Sequence, residues 1–344
     1  MKKGKLPESV LKRSVLKYTH IQQKEIIKGA EIGSDCAFLR CEDKEERMSA
    51  VTSQTITLPI EDAGKLAVHA AVNNLAAAGA ITQAVTLAIT LPEKAQEEQL
   101  KKIMQQIEDT CREVKTEIAG GHTEVTDVVK TPVVTVTAIG RPAQWKKIED
   151  SDPKDMDIVM TKWLGIEGTV ILSKEKKEQL LNRYPLSMIT KAVGLEKYLS
   201  ILPEAATAGK SGVYTMHDAR NGGVFGALWE LSKSMGVGLS IDLKKIPVRQ
   251  ETIEICEFFD LNPYELLAGG CLLMVTPESG KLIEALREEG IPATVIGRTT
   301  GNNDKVIFNG EENRFLEPAK PDEIFKVEFN KEEVSNERTA ISDY

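Results

Sequence analysis

Residues 61–80 read EDAGKLAVHAAVNNLAAAGA, and the reading of the whole chain works outward from them. Asp62 stands where an N-cap belongs, because its carboxylate can accept from the free amides of a first turn. Leu66, His69, Val72 and Ala76 recur at helical spacing, with Leu75 and Gly79 beside them. Alanine fills the second half, and Gly79 supplies a stop. The spacing therefore predicts a packed helix over 62–80. Asn73 and Asn74 sit inside it. A buried, unpaired amide costs about 1–3 kcal/mol, so a partner is expected: a loop, a water or a ligand. A helix–loop hydrogen bond accounts for the pair at least as well as a ligand does.

Upstream, PESVLKRSVLKYT (7–19) suits a short helix. GSDCAFLR (33–40) is a glycine turn leading into an extended segment. CEDKEERM (41–48) reads as a hairpin tip, and SAVTSQTITLP (49–59) as a strand. Downstream come a strand QAVTLAITLP (83–92), a long helix over 93–115, and EIAGGHTEV (117–125), expected to break at its two glycines. A strand of β-branched residues follows, TPVVTVTAIGRP (131–142). QWKKIEDSDPKDMD (144–157) marks the expected boundary, giving domains 1–150 and 151–330 and a polar tail 331–344. In the second part DIVMTKWLGIEGTVILS (157–173) begins as a strand and glycine turn, and 174–210 is helical. Strand, turn, helix and strand follow over 212–242, then GGCLLMVTP (269–277) as a buried strand. A helix at 278–290, a strand at 292–300 and a hairpin at 302–311 complete the pattern. The order predicts an α+β protein with sheets on one side and helices on the other.

The composition fits this reading. Of 344 residues, 41% are hydrophobic and 28% charged, with a net charge of −8, as expected of a globular chain. That balance argues against generic nucleic-acid binding, although a local phosphate site stays compatible with it. No apolar run approaches the roughly 20 residues of a membrane helix, and the basic N-terminus lacks the apolar core of a secretory signal. The five cysteines are scattered without a CxxC pair, so neither a disulfide framework nor a zinc site is expected. The expected compartment is a reducing cytoplasm.

Three short stretches carry candidate chemistry. Gly120-Gly121-His122-Thr123 follows a strand, where glycines let backbone amides approach an anion and Thr123 adds a hydroxyl. His122 is a metal or phosphate candidate, and equally a satisfied loop residue. Asp35, after Gly33, is placed to hold Mg²⁺ through a carboxylate or to form an Asx-turn. Asp218 and Asn221-Gly222-Gly223 precede a helix whose amides suit phosphate, and capping by Asn221 explains the same residues. No P-loop and no GxGxxG fingerprint is present.

The order of these stretches says more than any one of them. GSDCAF, VTSQTI, DAGKLAVHAAVNNLAAAGA, GGHTEV, MHDARNGG, GVGLSID and GGCLLMV together resemble the aminoimidazole-ribonucleotide (AIR) synthetase, or PurM-like, superfamily. Its members include thiamine-monophosphate kinase, selenophosphate synthetase and the hydrogenase-maturation protein HypE, and the likeness is nearest to HypE and AIR-synthase-related proteins. The resemblance implies a two-domain fold with a mixed or antiparallel N-terminal sheet, paired into a dimeric β-barrel, and a C-terminal α/β sandwich. It also implies ATP, Mg²⁺, a homodimer and phosphoryl transfer to a small-molecule acceptor. Carried over by position, it assigns Asp35, Thr52, Asn73, Asn74, Gly120, Gly121, His122, Thr123, Asp218, Gly222 and Gly223 to the nucleotide site, with Asp35 and His122 toward the metal.

The chain departs from the family pattern at several acids. Ser34, Ser53, Asn74 and His122 stand where the family carries carboxylates, and Ala268-Gly269-Gly270-Cys271 replaces an acid-bearing segment. Phosphoryl transfer leans on metal charge to offset developing negative charge, so weakened or relocated Mg²⁺ binding is expected. HypE ends in a reactive cysteine. This chain ends Ile341-Ser342-Asp343-Tyr344, so tail-thiol chemistry is not expected. The cysteine-rich loop of selenophosphate synthetases is absent too. The alternative is a catalytically silent HypE-like scaffold in metalloenzyme maturation.

Overall fold

The computed structural model describes residues 3–40, 48–143, 145 and 152–329. The hairpin tip at 41–47, most of the boundary stretch at 144–151 and the polar tail lie outside them.

The first half contains α1 (Glu8–Ser14), β1 (Ile26–Lys28), β2 (Ala37–Arg40), β3 (Met48–Ile56), α2 (Ala63–Ala77), β4 (Ala80–Pro92), α3 (Glu97–Glu113), β5 (Glu117–Thr126) and β6 (Val133–Pro142). Its strands form one sheet in the order β1-β2-β3-β6-β4-β5. Every pairing is antiparallel except β4 with β5. Along β6 the residues alternate between half-buried and buried, because successive side chains point to opposite faces. Val134, Val136 and Ala138 face the core.

The second half contains β7 (Asp157–Thr161), α4 (Ile166–Glu175), α5 (Lys177–Leu181), α6 (Leu186–Val193), α7 (Leu202–Ser211), β8 (Thr215–Asp218), α8 (Gly223–Met235) and β9 (Gly238–Asp242). It continues with α9 (Gln250–Phe258), β10 (Leu272–Thr276), α10 (Ser279–Glu288), β11 (Ala293–Thr300), β12 (Lys305–Asn309) and β13 (Glu312–Phe315). The second sheet runs β13-β12-β9-β11-β7-β10-β8, with β9 and β12 its parallel pair. The molecule is thus α+β with two mixed sheets.

Helix α2 is buried on nearly every side, which its alanines permit by letting neighbouring backbones come close. Leu66 and Val72 share one apolar core with Ile103 and Ile107 of α3 and with Ile166, Val170 and Leu180 of the second half. The two halves are therefore fused through α2 rather than merely tethered.

Two local expectations are corrected. Asp62 occupies the N-cap position of α2 without a side-chain cap bond. Its carboxylate instead takes Lys174 at 2.7 Å, and Gln106 of α3 accepts from the Gly64 amide at 3.3 Å. The glycine pair does not break a strand: β5 runs straight through Gly120 and Gly121, with one irregularity in its pairing to β4. Gly121 is needed because a Cβ there would overlap the Leu87 carbonyl of β4. Among the described residues, no helix is long and apolar enough to cross a membrane.

Candidate functional site

A cleft of about 470 Å³ opens where the Gly33–Asp35 turn meets the end of β8 and the flank of α8. The turn comes close because Gly33, at φ +78°, presses on the backbone of Glu230, where any Cβ would clash. Asn74 of α2 fixes the turn from below. Its Nδ2 donates to the Asp35 carbonyl at 3.3 Å and to Thr52 Oγ1 at 3.5 Å. Thr52 is buried beneath α2, whereas its neighbour Ser53 points to the other face of the sheet and pairs with Thr137 at 2.7 Å.

His217 bridges the two halves. Its Nδ1 lies 3.0 Å from Asp35 Oδ2 and its Nε2 3.3 Å from Glu230 Oε2. Burial pulls the imidazole pKa down, but the two carboxylates outweigh it and push it up to about 10, so the ring is a cation with both N–H groups donating. Glu230 also pairs with Lys5 from the N-terminal arm. Burial raises its pKa, and the bonds from His217 and Lys5 more than reverse that, to about 2.

Asp218 is the exception in this network. It is 5% exposed, and both carboxylate oxygens are buried with no hydrogen-bond partner. Burial and then the nearby Asp35 charge push its pKa up to about 8. Arg220 is close in sequence but is committed to Glu167, donating through Nε at 2.9 Å and through a terminal nitrogen at 2.6 Å. A buried polar group left unpaired is expensive, so this carboxyl seeks a proton or a cation from the cleft.

The remaining residues singled out in the sequence separate. Asn73 faces away from the cleft and is spent on structure: Nδ2 donates to Leu199 O at 2.8 Å, and Oδ1 accepts from Ile201 N at 3.1 Å. The loop, rather than a ligand, satisfies this half of the pair. The amide of Gly222 is also taken, donating to Asp322 Oδ2 at 2.7 Å. Gly222 and Gly223 hold left-handed conformations, and a Cβ on Gly223 would strike the Tyr264 carbonyl. At the start of α8 the Gly222 amide is thus taken by an internal carboxylate.

Gly120, Gly121, His122 and Thr123 lie exposed on β5 at the far edge of the first sheet. Four strand spacings separate β5 from β2, roughly 19 Å of sheet. His122 is 3.5 Å from Glu124 and does not meet Asp35 within the protomer. Among the described residues, no group of three or more His, Cys, Asp or Glu side chains is arranged to hold a metal ion.

Sequence reasoning did not pick out His217, Glu230, Lys5 or Asp322. His217 stands beside Asp218 in the quoted MHDARNGG, and that adjacency was the available signal. Lys5 and Asp322 reach their partners across more than two hundred and about a hundred residues of chain respectively, and no local pattern marks them.

The comparisons with known proteins agree with this architecture. A putative hydrogenase expression/formation protein of Methanocaldococcus jannaschii is 29% identical over 313 residues, 89% of this chain and 91% of the relative. A carbamoyl dehydratase HypE of Azotobacter vinelandii is 27% identical over 259 residues, 72% of this chain and 73% of that protein. A crystal structure of the hydrogenase maturation protein HypE in complex with ATP superposes with a TM-score of 0.67 at 20% identity, covering 92% of this chain and 96% of the other. That likeness shows the shared fold. The AIR synthase related protein family models match through their N-terminal domain at residues 33–141 and their C-terminal domain at 155–309, and the chain belongs to that family.

Proposed function

We propose that this protein binds ATP with Mg²⁺ in the Asp35–Asp218 cleft and transfers a phosphoryl group to a small-molecule acceptor. The observation that carries the reading is Asp218, a buried carboxyl with neither oxygen partnered, facing a cleft beside a second carboxylate. Mg²⁺ characteristically uses one or two carboxylates together with substrate phosphates. The donor set therefore fits a phosphate-borne cation rather than a protein cage. ATP supplies the phosphoryl group, and the cation offsets its charge. The solved HypE complex with ATP supports nucleotide as the ligand class.

In this reading Asp35 and Asp218 face the cation, and Asn74 and Thr52 hold the Asp35 turn in place. Residues 1–150 carry most of the nucleotide side, and 151–330 close it. Gly120 to Thr123 join only if two copies pair through the open β5 edge, so the proposal includes a homodimer. Calorimetric titration with ATP and Mg²⁺ tests it. Binding with metal, and at least tenfold weaker binding by Asp218→Asn, is the expected outcome; a tenfold change is about 1.4 kcal/mol. No binding at millimolar nucleotide ends the reading.

A second reading has its own observation. Asp35 is already bonded by a cationic His217, and Ser53, Asn74 and His122 stand where the family carries carboxylates. A HypE-like scaffold without catalysis would retain the fold and this ionic bridge, and the same titration would then show no metal-dependent affinity.

A further inference from the structure

On the other side of the last turns of α2 lies a second cavity, of about 560 Å³. Asn74 looks into the acidic cleft, whereas Ala76, two residues on and so about 200° around the helix, floors this second space. The walls are small residues, chiefly Ala76, Ala80, Ala205 and Ala206, which is why the space is there. One side is closed by Trp145. Its indole packs where a Cβ on Gly79 or on Gly209 would collide with it, so two glycines from separate elements seat a single ring. The volume falls in the usual range for small-molecule sites.

The rim has one sign of charge. Lys115, Arg141 and Lys210 all border the cavity, and among the described residues none of the three has an ion pair or side-chain hydrogen bond. Lys115 and Lys210 stand near the ends of α3 and α7, where cations suit the helix dipole. Arg141 ends a strand and has no such account. Lys115 moreover sits at φ 56°, a left-handed position usually given to glycine after a helix. Such an outlier is a reason to look for a role.

We propose that this cavity binds an amphiphilic organic anion: a flat apolar body against Trp145 and the alanines, with one acidic head at the cationic rim. The site is separate from the Asp35–Asp218 cleft, with which it shares no lining residue.

The probe is anilinonaphthalene sulfonate, followed by fluorescence, with its uncharged analogue N-phenylnaphthylamine beside it. One dye is expected to bind per chain, with no displacement by ATP. The triple variant Lys115→Gln, Arg141→Gln, Lys210→Gln should weaken the sulfonate by about tenfold or more and leave the neutral dye unchanged. Ala206→Trp fills the cavity from an exposed helix position, so it keeps the fold, checked by circular dichroism, and should abolish both. Equal sulfonate affinity in the triple variant, or dye binding that survives Ala206→Trp, overturns the proposal.

Discussion

Asn73 and Lys162 grip the same loop at alternate residues. Lys162 Nζ donates to the carbonyls of Tyr198 and Ser200 at 2.9 and 2.7 Å, and Asn73 serves Leu199 and Ile201 between and beyond them. Lys162 is itself paired with buried Glu204. A helix of the first half and a strand end of the second thus hold one segment, which locks the halves in register.

Removing the Asn73 grip should be a stability event. Asn73→Ala leaves a buried carbonyl and a buried amide unpaired, a loss of about 2–4 kcal/mol. Urea denaturation should show a lower midpoint, while nucleotide affinity of the folded protein stays unchanged. A variant with intact stability and lost nucleotide binding would return Asn73 to the ligand site.

His69 should make the protein acid-sensitive in a defined window. Burial, and then the Lys65 charge, pull its pKa down to about 4, and its Nδ1 has no partner. The folded state holds the ring neutral. Its contribution is complete above the unfolded value near 6.5 and is lost as pH falls through about 4, a change of about 3 kcal/mol. Stability measured against pH should show this decline in the parent chain and a flatter profile in His69→Leu.

Asp322 ties three segments through backbone amides. It accepts from Gly222 at 2.7 Å, Leu267 at 3.1 Å and Ile324 at 3.0 Å. Asp322→Ala leaves these donors unpaired and should cost about 3 kcal/mol or more. Thermal denaturation reads the loss. Faster amide hydrogen exchange at Gly222 would show that the start of α8 had been released.

Lys115 offers a prediction of the opposite sign. At φ 56° glycine is free of the Cβ penalty, so Lys115→Gly should stabilise the fold by about 0.5–1 kcal/mol. The midpoint of chemical denaturation should rise. A fall would mean that the lysine side chain contributes packing that outweighs its backbone strain.

How much of this was legible depends on the range of the interaction. Helix α2 was readable because its signals are local: apolar residues at helical spacing, alanines and Gly79. The strands β3, β4 and β6 declared themselves by β-branched alternation. Gly120 and Gly121 misled, because the same glycines serve a bend or a close strand approach, and only the Leu87 carbonyl of β4 decides between them. Asp35, Thr52, Asn74 and Asp218 were grouped by the order of family motifs; Asp35, Asn74 and Asp218 line one cleft, with Thr52 beneath Asn74. The His217 bridge was out of reach, since it needs two carboxylates brought from opposite halves. Asn73 and Asn74 look alike in sequence, but a step of about 100° on a helix sends one to a loop and the other to the cleft.

The apolar core shared across α2 also limits how the cleft can admit a visitor. Swinging one half away from the other would split the apolar cluster that joins α2 to the second half and break both loop grips. A hinge is therefore the wrong picture. On its outer side the cleft is bordered by the N-terminal arm, through Gly4, Lys5 and Leu11, and α1 buries none of its residues. The doorway on that side is held by two polar contacts, Lys5 with Glu230 and Trp229 donating to Glu8 at 2.8 Å, and not by a packed core.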